Sequence, residues 1–554
     1  MSIFSNISAK IKEIFRAMLG AKTIESKLNV AVAMSPEMEK AISVWNVLYR
    51  NKAPWLHEPD EDNPIRIVSL GLPSMIASEK ARTALLEFQS EITVPTEEVE
   101  VPNPEYKNPP DMELNRWGQE VPKVVSPTIT EEKPKTDGAR AEFLNEQYKK
   151  LKRHLRKQLE YGVALGGLII KPYYVETTND DGTVAPTIEF DFIRADCFFP
   201  LAFDANGNIT EAAFIQPKVD KDVIYRRLEY HKWANNTIEI VNKCYKTTRA
   251  NLQTVPTDEE DLGKEVSLKE VPEWAELEPK TVIHDVSRPL FAYFKMPEAN
   301  TVDLTSPLGV SGYARAVNLI KDADMQYSRL LWEYEAGEMA LNVDRDAFQW
   351  LSDSEDTDKG RSKLPTGQQR LYRQLDVNQE ELFQPFAPAL RDSAYRDGLN
   401  SILMRIEDVT GLSRGTLSDA SAEARTATEL KILKQRSYQA NLDIQHNLED
   451  ALKDAIYAAN VLCSLYAVTP EGEYDVSFEW DDSILVDVDM ELAKRIQLMQ
   501  NGLTSKLEVR QWYFGETERQ AKEALQQIAD ESATDAENDL MNQEQFMQNK
   551  GENI

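Results

Sequence analysis

Apolar side chains recur every three or four residues in several stretches of the chain, which predicts amphipathic helices. The first stretch comprises Ile3, Phe4, Ile7, Ile11, Ile14, Phe15 and Met18. Basic residues outnumber acidic ones around it, so we predict a basic helix that makes an assembly contact or, alternatively, lies on a membrane surface. A second helix is predicted from Ser35 and Pro36 to about Arg50, because serine caps helices and proline suits the first turn.

The same spacing predicts longer helices further along the chain. They cover about residues 139–162, 311–340, 390–409 and 426–466. The second has an apolar stripe interrupted by Asp324, and we expect Asp322, Glu333, Glu335 and Glu338 to face solvent. The fourth opens with the capping box Thr426 to Glu429. Shorter helices are predicted after Asp489, Ser505 and Thr517.

Runs of β-branched and aromatic residues predict strands at about 168–176 and 474–486. The turn-forming stretches 179–182 and 204–208 predict hairpins. Asp204, Asn206 and Asn208 match the first ligand positions of a calcium loop, but Ile215 stands where a bidentate glutamate is required. We therefore predict a plain turn.

Two segments break the periodic pattern. Residues 94–135 contain eight prolines in an acidic context, which predicts an extended loop or linker. Residues 341–389 mix short apolar groups with the hydrophilic run 352–360, which predicts a small strand-containing projection.

Composition limits the classes of function. The 554 residues are 42% hydrophobic and 28% charged, which is typical of globular proteins. Lys and Arg number 63 against 93 Asp and Glu, a net charge of −30. Such a chain repels phosphate backbones on average, which argues against a conventional duplex-binding protein but not against one that passes DNA without gripping it. We find no apolar run long enough to span a membrane. The N-terminus also lacks the order of charged, apolar and small residues that is typical of a secretory signal peptide.

Catalytic and metal-binding patterns are mostly missing. Cys197, Cys244 and Cys463 lie far apart and are predicted to be buried free thiols in a reducing compartment. The five histidines are scattered, so neither a metal nor a cofactor is predicted. The stretch 162–167 lacks the Gly-Lys-Ser/Thr of a phosphate loop and predicts tight helix-to-strand packing.

One acidic cluster is a candidate metal centre. Asp481, Asp482, Asp487 and Asp489 could hold two metal ions for phosphodiester cleavage. The same residues end a predicted strand and begin a predicted helix, where carboxylates solvate a turn and complement the helix dipole. We favour the turn, and a metal-dependent nuclease stays as an alternative.

Six short stretches, in their order along the chain, carry a resemblance to a known family. They are ALGGLIIKPYY (164–174), FIRADCFFP (192–200), PLFAYFK (289–295), SPLGV (306–310), TATE (426–429) and NGLTSK (501–506). On this pattern of helices they resemble the portal proteins of long-tailed bacteriophages, in the branch common among phages of Gram-positive hosts. The resemblance extends from about residue 140 to about residue 530.

The resemblance implies an α+β portal fold, with an α/β wing, a long-helix stem, a small α/β clip and a helical crown, in a ring of about twelve copies. Carried onto this chain, the segments are the wing (1–305, with the 94–135 proline-rich loop), the first stem helix (306–340), the clip (341–390), the second stem helix (391–410), the tunnel loop (411–422), the long wing helix and returning strand (423–486), the crown (487–530) and a disordered acidic tail (531–554).

The resemblance also suggests site residues. The DNA-channel residues would be Gly411, Leu412, Ser413, Arg414, Gly415, Thr416 and Arg425. Arg414 is the first candidate for transient phosphate contact, with Arg425 and Arg391 as weaker ones; alternatively, Arg414 bonds a loop carbonyl or a carboxylate. The acidic clip residues expected to dock partners are Asp353, Glu355, Asp356 and Asp358.

The implied protein is a non-enzymatic subunit of the virion, assembled in the host cytoplasm, without a cofactor or stable membrane association. Its implied partners are further copies of itself, the terminase large subunit, a head-tail connector, and the major capsid and scaffolding proteins. Double-stranded DNA would pass through without sequence specificity. The alternative from a different class is a cytoplasmic helical adaptor.

Overall fold

The structure of the protein is a computed structural model. It describes residues 21–58, 65–86, 88–102, 112–114, 120–122, 128–135, 138–178, 184–248, 262–344, 372–375, 383–419, 427–480, 488–515, 520–522 and 524–528. The chain divides into two units, residues 1–479 and residues 480–554. Helices and strands are both abundant, as expected for an α+β fold.

Most of the predicted helices are present, with ends set by local capping. They are α1 (Pro36–Tyr49), α2 (Leu72–Ala84), α3 (Ala139–Leu165), α4 (Val317–Ala336), α5 (Asp392–Thr410), α6 (Ala427–Leu465), α7 (Val488–Gln500) and α8 (Lys506–Phe514), with 3-10 turns at Leu268–Glu270, Pro272–Trp274 and Ala314–Ala316. The Ser35 hydroxyl accepts a hydrogen bond from the Met38 N–H, 3.3 Å away, as predicted for the cap of α1. Residues 21–28 are also helical, whereas the predicted N-terminal stripe from Ile3 to Met18 lies outside the described residues.

Two expectations for α4 are wrong. The helix begins at Val317 rather than near Ser311, since the 3-10 turn Ala314–Ala316 precedes it and the Gly312 N–H donates to the carbonyl of Val163. Glu333 does not face solvent: it is only 7% exposed, because Arg391 covers it. Asp324, which interrupts the apolar stripe, is buried and accepts hydrogen bonds from the Trp55 indole and the Leu70 N–H.

The strands form several separate sheets. They are β1 (Gln89–Thr93), β2 (Thr96–Pro102), β3 (Met112–Leu114), β4 (Glu120–Pro122), β5 (Thr128–Pro134), β6 (Gly167–Thr178), β7 (Val184–Arg194), β8 (Phe198–Phe203), β9 (Ile209–Asp220), β10 (Val223–Ala234), β11 (Thr237–Thr247), β12 (Lys264–Val266), β13 (Lys280–His284), β14 (Ala292–Lys295), β15 (Ala340–Asp344), β16 (Tyr372–Leu375), β17 (Phe383–Phe386) and β18 (Asp475–Glu479). Strands β8 to β13 build one antiparallel sheet in the order β12-β11-β10-β9-β8, with β13 also paired to β11. A second sheet has the order β14-β6-β7, and β18 returns to pair with β1.

The prediction of an extended loop for the proline-rich segment 94–135 is wrong in part, because the segment contains paired strands. Strand β2 pairs antiparallel with β5, and β3 pairs with β4. The prolines Pro102 and Pro134 stand at the ends of the β2–β5 ladder, where a missing N–H costs least. Between them, Val99, Val101 and Ile129 favour extended backbone.

Helix α3 meets strand β6 at the glycines that the sequence singles out for close packing. Gly166 has a φ of +89°, and an added side chain there would strike the backbone of Gly309. At Gly167 it would strike the Tyr293 ring. These contacts confirm the prediction of tight helix-to-strand packing in place of a phosphate loop.

The hairpin turn after β8 is also confirmed. The Asp204 carboxylate accepts hydrogen bonds from the backbone N–H groups of Asn206 and Asn208, both at 2.8 Å, and Gly207 has a φ of +83°. The other predicted turn, 179–182, lies outside the described residues, although β6 and β7 on either side of it pair antiparallel. The three cysteines are buried and free, as predicted, and burial raises the pKa of the Cys244 and Cys463 thiols to about 11.

Helix α6 is fixed to α3 by a fully buried arginine. The Arg140 guanidinium donates to the carbonyls of Asn460, Thr469 and Pro470 at 2.8–3.0 Å and to the Ser464 hydroxyl. Asn460 and Ser464 lie in the last two turns of this 39-residue helix, and Thr469 and Pro470 lie in the segment that follows it. Arg140 therefore ties the C-terminal end of α6 to the next segment, where a cation also suits the negative end of the helix dipole.

The second unit contains α7 and α8. Asn501 and Gly502 end α7 as predicted, with Gly502 at a φ of +74°. Ser505 and Glu508 form both halves of the predicted capping box at the start of α8. Thr517, which opens the third predicted cap, lies outside the described part of the chain, as does the acidic tail, whereas residues 520–522 and 524–528 are helical.

Candidate functional site

Helices α4 and α5 form an antiparallel pair that leads into the candidate channel loop. The Gln326 amide donates to the Tyr395 carbonyl, 3.4 Å away, near the middle of the pair. At one end, the Arg391 guanidinium binds the Glu333 carboxylate with two hydrogen bonds of 3.1 and 2.7 Å, and the Arg391 N–H adds a third. These hydrogen bonds lower the pKa of Glu333.

Between the two helices in sequence lies the small sheet predicted for residues 341–389. Its order is β16-β15-β17, with β15 parallel to β16 and antiparallel to β17. The strand-containing character of the projection is therefore confirmed. Its acidic docking candidates, Asp353, Glu355, Asp356 and Asp358, lie outside the described residues.

Helix α5 ends where the sequence predicts, at Thr410, because Gly411 adopts the left-handed conformation with a φ of +76°. The Leu412 N–H donates to the Glu407 carbonyl, and the Leu412 side chain is 6% exposed. Gly415 also has a positive φ, +88°. Both glycines therefore supply turn geometry that other residues rarely adopt.

The segment 411–419 is the described part of the predicted tunnel loop and is held by one carboxylate; we call it the channel loop after that prediction. Glu407 is completely buried, and its Oε1 accepts the N–H groups of Leu417 and Ser418 at 2.5 and 2.9 Å. The Ser418 hydroxyl donates to Oε2 at 2.7 Å. Three donors from the loop thus converge on a single side chain of α5.

Sequence reasoning missed Glu407. Its only signal is a carboxylate directly after the buried Ile406, on a helix that precedes a stretch rich in serine and glycine. Such loops expose backbone N–H groups, which a neighbouring acid can accept.

The other loop candidates lie on the outside of this arrangement. The Arg414 guanidinium donates to both oxygens of Asp408, at 3.2 and 2.9 Å, and its side chain is 46% exposed. Arg414 therefore bonds a carboxylate, which is one of the alternatives predicted for it. These hydrogen bonds raise the pKa of Arg414. Thr416 donates to the Ser413 carbonyl, while Arg425 lies outside the described residues.

Elsewhere in the first unit, one buried cluster has the residue types of an acid-base pair. His231 Nε2 lies 2.6 Å from Glu229 Oε1, and Glu229 also accepts from Lys171 and Arg227. Burial lowers the pKa of His231. The Glu229 carboxylate thus compensates the charges of Lys171 and Arg227. Within the described residues, no serine, threonine or cysteine donates a hydrogen bond to His231.

A polar cleft of about 510 Å³ lies between the β8–β13 sheet and helix α6. Arg288 in its wall pairs with Asp454 at 2.5 Å and covers the Tyr457 ring at 4.5 Å. The described residues contain no group of three or more His, Cys, Asp or Glu that could hold a metal ion. Of the candidate metal cluster, Asp481, Asp482 and Asp487 lie outside those residues, and only the backbone of Asp489 is described, in α7.

No helix among the described residues has the length and apolar character needed to cross a membrane. No curated protein matches the chain. The family model described as "Phage portal protein, SPP1 Gp6-like" matches residues 126–538. That match spans α3, the β6–β14 sheets, the α4–α5 pair, the channel loop and α6. The chain therefore belongs to the SPP1 Gp6-like family of phage portal proteins, which are structural proteins of the capsid vertex through which phage DNA is packaged.

Proposed function

We propose that about twelve copies of this chain form a ring around a channel for double-stranded DNA, and that the chain itself carries out no catalysis. The observation that carries the proposal is the family match over residues 126–538, combined with the helix–small sheet–helix–loop–helix order of α4 to α6. In this proposal the terminase large subunit supplies the packaging motor. After packaging, a head-tail connector takes the place of the terminase on the ring. Capsid and scaffolding proteins hold the ring in the vertex.

The segments follow from this assignment. Residues 1–305 form the wing, 306–340 and 391–410 the two stem helices, 341–390 the clip, 411–422 the tunnel loop, 423–486 the long wing helix and returning strand, and 487–530 the crown. The subunit is made in the host cytoplasm and ends in the virion. The acidic residues of 352–360 serve as part of the docking surface of the clip.

An exposed apolar surface on α4 supports assembly through the stem. Leu331, Trp332 and Tyr334 are 38–40% exposed on the last turns of this helix. Met339 and Leu390, just beyond the helix pair, are 61% and 45% exposed. Clustered apolar side chains of this kind mark interaction surfaces, and a neighbouring copy in a ring would cover them.

The charge of the chain supports transit rather than tight binding of DNA. A net charge of −30 repels phosphates on average, whereas a predominantly basic channel would hold the duplex by phosphate contacts and retard its movement. Arg414, the single Lys or Arg in residues 411–422, then contacts phosphates transiently.

Native mass spectrometry and negative-stain imaging of the same purified sample test the ring. We expect closed rings of about twelve subunits with a central hole. Trp332→Glu should prevent ring closure, whereas Leu304→Glu, at a position 89% exposed elsewhere in the chain, should not. A monomer or dimer that is stable over a wide concentration range would instead favour the helical adaptor.

A further inference from the structure

Helix α3 carries a concentrated basic face in a strongly acidic chain. Residues 149–157 contain six Lys or Arg and no Asp or Glu. The apolar side chains of this stretch, Leu151 and Leu155, are buried. Lys149, Lys150, Arg153, Arg156 and Lys157 are exposed, and we name these five residues the basic face.

Most of the basic face lacks a partner in the described part of the chain. Lys149 pairs with Glu146 at 2.9 Å. Lys150, Arg153, Arg156 and Lys157 make neither an ion pair nor a hydrogen bond with any residue that the structure describes. A local excess of four uncompensated cations fits a polyanionic or strongly acidic partner.

The β2–β5 ladder has the opposite charge. Its two strands contain five glutamates and one lysine, a net charge of −4. The register places Glu98 directly opposite Glu132 and Glu97 opposite Lys133. We name this pair of strands the acidic ladder.

The acidic ladder also lacks support from a larger sheet. Among the described strands, β2 and β5 pair only with each other. A two-stranded ladder is marginally stable by itself in water. A basic surface that covers the ladder would support it and offset its net charge of −4.

We infer that the acidic ladder of one copy docks on the basic face of helix α3 of a neighbouring copy. The inference rests on the proposed ring, since it needs two adjacent copies. The basic face extends over about 12 Å of helix and the ladder over about 20 Å of strand, so the ladder is long enough to cover the whole basic face. The contact also offsets the repulsion between subunits that each carry a net charge of −30.

Crosslinking in rings of mixed isotopic composition tests where the contact lies. Rings are assembled from isotopically heavy and light wild-type chains and treated with a carbodiimide, which joins carboxylates to lysine amines in direct contact. We expect crosslinked peptides between residues 149–157 and β2 or β5 that combine one heavy and one light partner. Crosslinks within one isotope only, or rings without such crosslinks, would overturn the inference.

Charge reversal tests whether the contact depends on complementary charge. The first variant is Lys150→Glu, Arg153→Glu and Lys157→Glu, and the second is Glu98→Lys, Glu100→Lys and Glu132→Lys, whose positions share one face of the ladder. Each should reduce the mixed crosslinks and ring stability in moderate salt by about tenfold. Combining both sets should restore ring stability, because the charges are then complementary again.

A matched control carries three reversals at other exposed lysines, Lys52→Glu, Lys264→Glu and Lys269→Glu, and should leave rings and crosslinks unchanged. Failure of the combined variant to recover stability would overturn the inference. So would loss of duplex DNA retention in basic-face variants whose rings stay intact, since the basic face would then be a DNA surface. Absence of rings in the wild type would instead refute the proposed ring, and the contact with it.

Discussion

Two buried glutamates hold the two ends of helix α5, and they are satisfied in different ways. Glu333 is bound by the guanidinium and N–H of Arg391, so an ion pair joins α4 to α5. Glu407 accepts only neutral donors, all from the channel loop. The first end is thus fixed by charge and the second by hydrogen bonds to backbone, and the two should respond differently to mutation, salt and pH.

Glu407→Ala should have the largest effect. It leaves the Leu417 and Ser418 N–H groups without their acceptor, and each unsatisfied buried group costs about 1–3 kcal/mol. We expect the free energy of opening of the channel loop to fall by about 2–4 kcal/mol. Hydrogen exchange at these two amides measures this directly.

The control for this prediction is Asp397→Ala, an exposed acid on the same helix. It should leave exchange in the loop unchanged. Glu407→Gln keeps one carbonyl acceptor and should fall between the two. Unaltered protection of Leu417 and Ser418 in Glu407→Ala would show that the carboxylate does not hold the loop.

Arg391→Met should have a smaller effect, confined to the other end of α5. Its side chain is 67% exposed, so solvent and ions screen much of its attraction to Glu333. The unfolding temperature should fall less than in Glu407→Ala, and the difference from wild type should shrink in concentrated salt. Arg396→Met, which removes an exposed pair within α5, is the control.

The pH dependence of the free energy of unfolding tests the ion pair between Glu333 and Arg391. Because Arg391 lowers the pKa of Glu333 below its usual 4.5, the pair contributes its full stabilisation above that pH. The contribution is lost as the pH falls through the folded-state pKa. The stability difference between wild type and Glu333→Gln should therefore be constant near neutral pH and decrease in acid; a constant difference throughout would refute the assignment.

The contrast also shows what the sequence can predict. The ends of α1, α5 and α8 follow from residues within one turn, such as Ser35, Gly411 and Ser505, so local chemistry is sufficient. Burial of Asp324 depends on Trp55 and Leu70, which lie more than 250 residues away in sequence. No periodicity in α4 contains that information.

In the candidate site, too, features set by neighbouring residues were predictable, and features set by other elements were not. Gly411, Gly415 and the position of the loop were predictable from turn chemistry. The roles of Glu333 and Glu407 were not, because each depends on a partner from a separate element. The ladders within residues 94–135 were missed because eight prolines obscured the alternation of β-branched residues between them.

Arg414→Glu should have the smallest effect on the fold and a selective effect on DNA. The bonds from Arg414 to Asp408 lie on the exposed side of the loop, while Glu407 holds the loop from the buried side. We therefore expect normal ring assembly and normal protection of Leu417, but impaired DNA packaging or retention. Arg414→Lys should retain most of the DNA function because it keeps the charge.

Arg405→Glu is the matched control, since it reverses an exposed cation on α5 outside the loop. Normal packaging by Arg414→Glu would count against phosphate contact by this residue. Impaired packaging together with faster exchange at Leu417 would indicate instead that the substitution acts by displacing the loop. Only a packaging defect with unchanged exchange assigns the effect to the charge of Arg414, because the loop backbone is then still held by Glu407.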